Sequence, residues 1–141
     1  MSRRKIARRV QDYPKVEKFS PTGKGKKEVR EVLLEELEAM RLKDLENMNQ
    51  QEAADMMGIS RQTFQNIIES GRRKVTDSLY NGYGIQIIGG DHILFSCEMT
   101  CKNCHEAYKP MTLEEKKNCP KCGSEMVNCC DSEASCRKWC L

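Results

Sequence analysis

Four of the nine cysteines fall in two C-x-x-C pairs, Cys101-Lys-Asn-Cys104 and Cys119-Pro-Lys-Cys122, with 14 residues between them. Two pairs at this separation match a zinc ribbon, in which two tight knuckles supply four thiolates to one tetrahedral Zn2+. Gly123, directly after the second pair, frees backbone N–H groups to face a thiolate sulfur. Four thiolates fill the coordination shell, so the expected role is structural and not catalytic; an iron-containing site is the alternative. The later cysteines Cys129, Cys130, Cys136 and Cys140 contain an adjacent pair and gaps of 5 and 3 residues, which fit no standard zinc pattern. A second metal, a redox-responsive dithiol and an iron–sulfur cluster stay open for them. Cys97 has no obvious partner, and His105 is expected to face solvent instead of ligating. Trp139 is a candidate to pack on this module or to mark a contact surface.

A second set of residues suits recognition of double-stranded DNA. Arg61, Gln62, Gln65 and Asn66 share the polar face of an amphipathic segment, with Glu69 and Arg73 beyond them. Arg can grip guanine in bidentate fashion, and Gln or Asn can do so for adenine. Ser60 or Thr63 could bond a phosphate at the start of that helix. Arg72, Arg73 and Lys74 read as backbone contacts, which add affinity without sequence information. Glu69 is unfavourable near phosphates unless it reads cytosine or pairs with Arg72 or Arg73.

The elements that must position this face form a helix-turn-helix over QQEAADMMGISRQTFQNII, residues 50–68. Ala54 lets two crossing helices nearly touch, and Gly58 supplies the sharp turn. Ile59 fills the corner, Ser60 caps the second helix, and Phe64, Ile67 and Ile68 point back onto the first. Asn49 is placed to cap the first helix, and the second is expected to run to about Tyr80 on a stripe of Phe64, Ile68, Gly71, Val75 and Leu79. Leu33, Leu37 and Met40 predict a support helix from about Val29 to Asn47. After Asn81-Gly82, the runs Ile85–Ile88 and His92–Phe95 around Gly89-Gly90-Asp91 read as a hairpin.

The fold class expected is mainly α: a three-helix helix-turn-helix domain with a short β-hairpin, then a small zinc-ribbon-like Cys-rich module. The boundaries are a basic arm over 1–28, the DNA-binding domain over 29–96 and the Cys-rich module over 97–141. Charge follows the same division. Residues 1–30 carry 11 Lys/Arg against 3 Asp/Glu, while residues 31–100 carry 6 against 12. In the arm, Arg3, Arg4, Lys5, Arg8 and Arg9 could lie along a phosphate backbone or in a minor groove; a solvated tail is the plainer alternative. No apolar run is long enough to span a membrane, and the basic start lacks a secretory apolar stretch, so a cytoplasmic protein is expected. Cysteines clustered in a reducing compartment favour metal over disulfides. With two histidines and no Ser/His/Asp or paired-carboxylate arrangement, an enzyme is not expected.

Residues 1 to about 96 resemble a family of short, uncharacterised bacterial and archaeal predicted DNA-binding proteins with a sigma-factor-like helix-turn-helix. The matching pieces are RRV at 8–10, FSPTG at 19–23, ELEAMRLKD at 36–44, QQEAADMMGISRQTF at 50–64, GRRKVTDSL at 71–79 and IIGGD at 87–91. The resemblance implies a transcription-factor-like fold, and its members often carry a variable Cys-rich tail. The second cysteine cluster departs from that pattern. The expected function is therefore a sequence-specific regulator, a homodimer reading two half-sites about one helical turn apart, with a metal- or redox-responsive version open. The alternative is an adaptor that binds transcription or translation machinery through the same two modules.

Overall fold

The computed structural model describes residues 6–129 and Trp139. Arg3, Arg4, Lys5, Cys130, Cys136 and Cys140 lie outside the described residues. Within them the chain runs through β1 (Arg8–Val10), β2 (Lys18–Phe19), β3 (Val29–Leu33), α1 (Leu34–Met40), α2 (Gln50–Met57) and α3 (Arg61–Asn81). It continues through β4 (Gly84–Ile88), β5 (His92–Leu94), β6 (Met99–Cys101), β7 (Ala107–Tyr108) and β8 (Val127–Cys129). Three helices and eight strands in three small sheets overturn the mainly α, three-helix expectation; the fold mixes α and β throughout.

Two differences have clear physical reasons. The predicted support helix begins only at Leu34, because Val29–Leu33 pairs in parallel with β4, from Val29 opposite Gly84 to Leu33 opposite Ile88. A parallel pair needs a crossover connection, and α1, α2 and α3 together are that crossover. The predicted hairpin is not formed either. Its first run, β4, is the central strand of β2-β4-β3, whereas its second run, β5, pairs in parallel with β1 in another sheet. Gly90 sits between them because of a close approach: a Cβ there would collide with Glu35 Oε1, which accepts the Asp91 amide at 2.9 Å.

The helix pair follows its sequence signals closely. Asn49 accepts the Glu52 amide at the start of α2, and Ser60 accepts the Thr63 amide at the start of α3. Gly58 ends α2 at φ 68°, ψ 32°, and Gly82 ends α3 at φ 75°. Ala53, Ala54, Met57, Phe64 and Ile68 are buried together with Ala39 and Leu42, so α1 and its continuation close the core over α2 and α3. That continuation, Arg41–Leu45, is a π-helical turn in which the Glu46 amide reaches back to the Arg41 carbonyl. The expected stripe fails at its end. Leu79 is 76% exposed, and Ser78 takes the buried position instead.

Three buried carboxylates fasten α1 to the rest. Glu35 Oε2 meets Arg8 Nε at 3.3 Å; Glu36 accepts from the Leu33 amide, Ser70 Oγ and Lys74 Nζ; Glu38 accepts from the Gln11 amide and Arg41 Nε. A second small core joins Leu34, Ile87 and Trp139, with Tyr13 stacked on Trp139 at 6.0 Å and edge-on to His92 at 5.8 Å.

Gly90→Ala is expected to lose about 1–3 kcal/mol by overpacking against Glu35, measured by urea unfolding. A simple turn glycine at ordinary φ would tolerate alanine, so an unchanged midpoint would refute the close-approach reading. His92 supplies a pH dependence. Burial, and then the charge of Lys116, push its pKa down to about 4, against the pull of Gly90 and Asp91. The unfolded chain therefore binds the extra proton first, and stability falls as pH drops from about 6.5 towards 4, by up to about 3 kcal/mol. His92→Phe should flatten that slope. Taking the difference between the two proteins separates it from Glu35, whose carboxyl is raised by burial and gives the opposite slope.

Candidate functional site

Cys101 closes β6, which pairs antiparallel with both β7 and β8, and Cys104 follows in the first knuckle. Cys119 and Cys122 form the second knuckle. Their four Sγ atoms lie within 4.8 Å of one another, with Cys101–Cys122 and Cys104–Cys119 each at 3.6 Å. A tetrahedral Zn2+ with bonds of about 2.3 Å sets its sulfurs roughly 3.7–3.8 Å apart, so the residues fit such an ion. Both knuckles turn the same way: the residue after each second cysteine, His105 at φ 62° and Gly123 at φ 73°, is left-handed. Cys101 O accepts the His105 amide, and Cys119 O accepts the Gly123 amide. His105 is exposed and outside the ligand group, as its sequence position suggested.

Cys104 and Cys122 titrate far apart. The Ser124 amide and then Asn103 bring Cys122 down to about 6. For Cys104 the Glu106 backbone pulls downwards, but burial and the three neighbouring thiols outweigh it and push the pKa up to about 12. Four thiols this close cannot all ionise against mutual repulsion; a divalent cation is what lets four thiolates coexist. Asn103, whose amide nitrogen is 3.7 Å from Cys122 Sγ, was missed by the sequence reading. Its only signal is its place between the first pair of cysteines. Of the second cluster, Cys129 ends β8 and is exposed, while its other members lie outside the described residues.

On α3 the first two turns present Arg61, Gln62 and Asn66 outward, with Gln62 donating to Asn66 at 3.2 Å and Arg61 to Gln50 at 3.3 Å. Ser60 is exposed and Thr63 half-buried, and their hydroxyls bond each other at 2.8 Å. Gln65 is half-buried and already engaged: it accepts from Gln50 and donates to Glu69. The three basic residues further along differ. Arg72 meets Asp44 at 2.6 Å on the surface, Lys74 is drawn to buried Glu36, and Arg73 is exposed with no ion partner among the described residues. Surface pairs such as Arg72–Asp44 contribute about 0–1 kcal/mol and exchange readily.

The basic arm is partly anchored. Arg8 is only 14% exposed and its charge is committed to Glu35 and Asp91. Arg9 donates to Met111 Sδ at 2.9 Å, and its side chain also lies against Gly58, whose added Cβ would be 3.5 Å from Arg9 Nε. No helix among the described residues is long and apolar enough to cross a membrane.

Known proteins agree in family and say nothing of activity. A UPF0251 protein of Clostridium novyi (strain NT) is 46% identical over 142 residues, 99% of this chain and 97% of that protein. A UPF0251 protein of Clostridium botulinum (strain Hall) is 48% identical over 135 residues, 94% of this chain and 86% of that one. No solved structure matches. Residues 1–95 match the family described as "Protein of unknown function DUF134", and the chain belongs to that family.

Proposed function

We propose that this protein is a sequence-specific binder of double-stranded DNA, acting as a transcriptional regulator, and that Cys101, Cys104, Cys119 and Cys122 hold one structural Zn2+. The observation that carries the first part is the α2–turn–α3 pair. Capped by Asn49 and Ser60 and bent at Gly58, it leaves Arg61, Gln62 and Asn66 on the outward face of the first turns of α3. Those are the turns that enter the major groove when two helices cross in this way. Arg73, without an ion partner among the described residues, adds a cation about two turns further along, and Arg72 can exchange Asp44 for a phosphate. Gln65 becomes a buttress for Gln50 instead of a base reader. A homodimer would set two such helices into successive major grooves. The four-thiolate donor set at tetrahedral spacing supports a resident tetrahedral metal, Zn2+ in this reading, and elemental analysis separates it from iron.

Selection of bound sequences from random DNA is the direct test, and a motif is expected. Gln62→Ala and Asn66→Ala should relax preference at one position each, by about 1–3 kcal/mol of discrimination, and leave non-specific affinity in place. Arg73→Ala should weaken all sequences alike and lower the salt slope by about one. Failure to select any motif, together with binding that ignores salt, would sink the regulator reading and leave the adaptor.

For the metal, elemental analysis of the purified chain should return one zinc per protein. Cys119→Ala should lose it and unfold residues 97–129 while the α3 amide signals persist in NMR spectra. Iron in the purified chain, or an intact module without metal, would overturn the assignment.

A further inference from the structure

A chain of side-chain hydrogen bonds ties the first turns of α3 to α2. Arg61 Nε donates to Gln50 Oε1 at 3.3 Å, Gln50 Nε2 donates to Gln65 Oε1, and Gln65 Nε2 donates to Glu69 Oε1 at 2.6 Å. Gln50 is the first residue of α2, while Arg61, Gln65 and Glu69 follow at four-residue steps along one stripe of α3. The chain therefore crosses from α3 to α2 and back. Its two glutamines are half-buried, and its charged ends are exposed.

All three bonds run in one direction, and the two ends set that direction. A guanidinium can only donate, and a carboxylate can only accept. Each amide between them must therefore turn its oxygen towards Arg61 and its nitrogen towards Glu69. Aligned amides polarise one another, so neither turns over without breaking the bonds on both sides. Glu69 has no cation partner among the described residues, since the nearby Arg72 is held by Asp44. Its charge is spent on fixing Gln65, which accounts for a carboxylate on a face otherwise suited to phosphates.

The consequence falls on Arg61. With its Nε–H committed to Gln50, the plane of the guanidinium is set, and neither terminal nitrogen has a partner among the described residues. Those two nitrogens form the fork that can grip O6 and N7 of guanine. An arginine held in place beforehand loses less rotamer freedom on binding than a free one. We infer that Gln50 and Glu69 are positioning residues for base reading. Through Gln65 they hold Arg61 poised for a guanine in the major groove, a role that rests on the DNA-binding reading above. Neither residue has to touch DNA itself.

Two measurements on the full-length, metal-loaded chain keep the relay and the DNA reading apart. Without DNA, the Arg61 Nε–H should give a resolved 15N–1H signal whose exchange with water is slowed. That protection should be lost in Gln50→Ala and in Glu69→Lys. Lysine can only donate, so the second change turns the Gln65 amide over and leaves Arg61 facing a donor. An Arg61 signal that exchanges as fast in the parent chain as in Gln50→Ala overturns the relay, whatever the protein binds. With DNA, sequence selection should return a guanine whose preference disappears in Arg61→Ala. Gln50→Ala and Glu69→Lys should each lower the preference at that same position about two- to tenfold, the cost of ordering one long side chain, and leave other positions alone. Gln50→Glu keeps an acceptor for Arg61 and should retain the preference. Glu69→Lys is the decisive variant: the added positive charge should raise affinity for all DNA while the guanine preference falls. An equal gain on every sequence would make Glu69 a merely repulsive charge and overturn its role. A protected Arg61 signal with no selected motif fails the DNA reading, and the positioning role with it.

Discussion

The structure depends on three carboxylates buried on a helix of seven residues. Glu35, Glu36 and Glu38 of α1 are 3–4% exposed, and burying charges is unfavourable unless each finds partners. Each finds them on a different element. Glu35 takes Arg8 and the Asp91 amide, Glu36 takes Ser70 and Lys74 of α3 along with the Leu33 amide, and Glu38 takes the Gln11 amide and Arg41. A helix this short has little stability of its own. It becomes a hub because removing any partner would strand a charge in the interior, which typically costs 3–5 kcal/mol. The arrangement also spaces the long helix: Gly71 of α3 lies so close that a Cβ would sit 3.0 Å from Glu36 Cβ.

That hub explains why the helices and the sheets form one unit. β3 and β4 are parallel, so the whole helical segment is held at both ends by a single ladder. Arg30 of β3 adds a side-chain clamp, donating to Asp77 of α3 at 2.8 Å and lying 3.9 Å over the Tyr83 ring. β1 then carries the connection outward. Its parallel pairing with β5 brings it beside the cysteine module, where Ile6 bridges Thr112.

The legible parts were those set by neighbours in sequence. Asn49, Gly58 and Ser60 declared their caps and turn because capping is a local competition for a few amide groups. The two C-x-x-C pairs were equally plain, since ligand spacing within a knuckle is local. Val29–Leu33 misled because its partner strand lies some fifty residues later, and its apolar residues merge with those of α1. Gly89-Gly90-Asp91 resembled a turn, and nothing in the sequence reveals that Glu35 needs the space. Buried glutamates are the hardest case. Composition assigns them to solvent, and only the distant Arg8, Ser70 and Lys74 reverse that. The same distance effect turned Lys74 and Arg8 inward after both had been read as phosphate contacts.

The cysteine module shows how a metal could matter beyond its own fold. Among its described residues only Met99, Cys101, Pro110, Cys119 and Trp139 are buried, and Trp139 packs on the core of Leu34 and Ile87, which leaves far too little apolar surface within the module to hold a chain of that length. A metal held by the four thiolates would supply the missing free energy at two points, the knuckles, and thereby fix the interval between them. That interval touches the rest of the protein through Thr112 on Ile6 and Met111 on Arg9. Arg9 in turn lies against Gly58, where α2 bends into α3. Losing the metal should release the interval first, then free the Arg9 side chain beside the turn. The α2–α3 core of Ala54, Met57, Phe64 and Ile68 would stay closed, since none of its residues comes from the module.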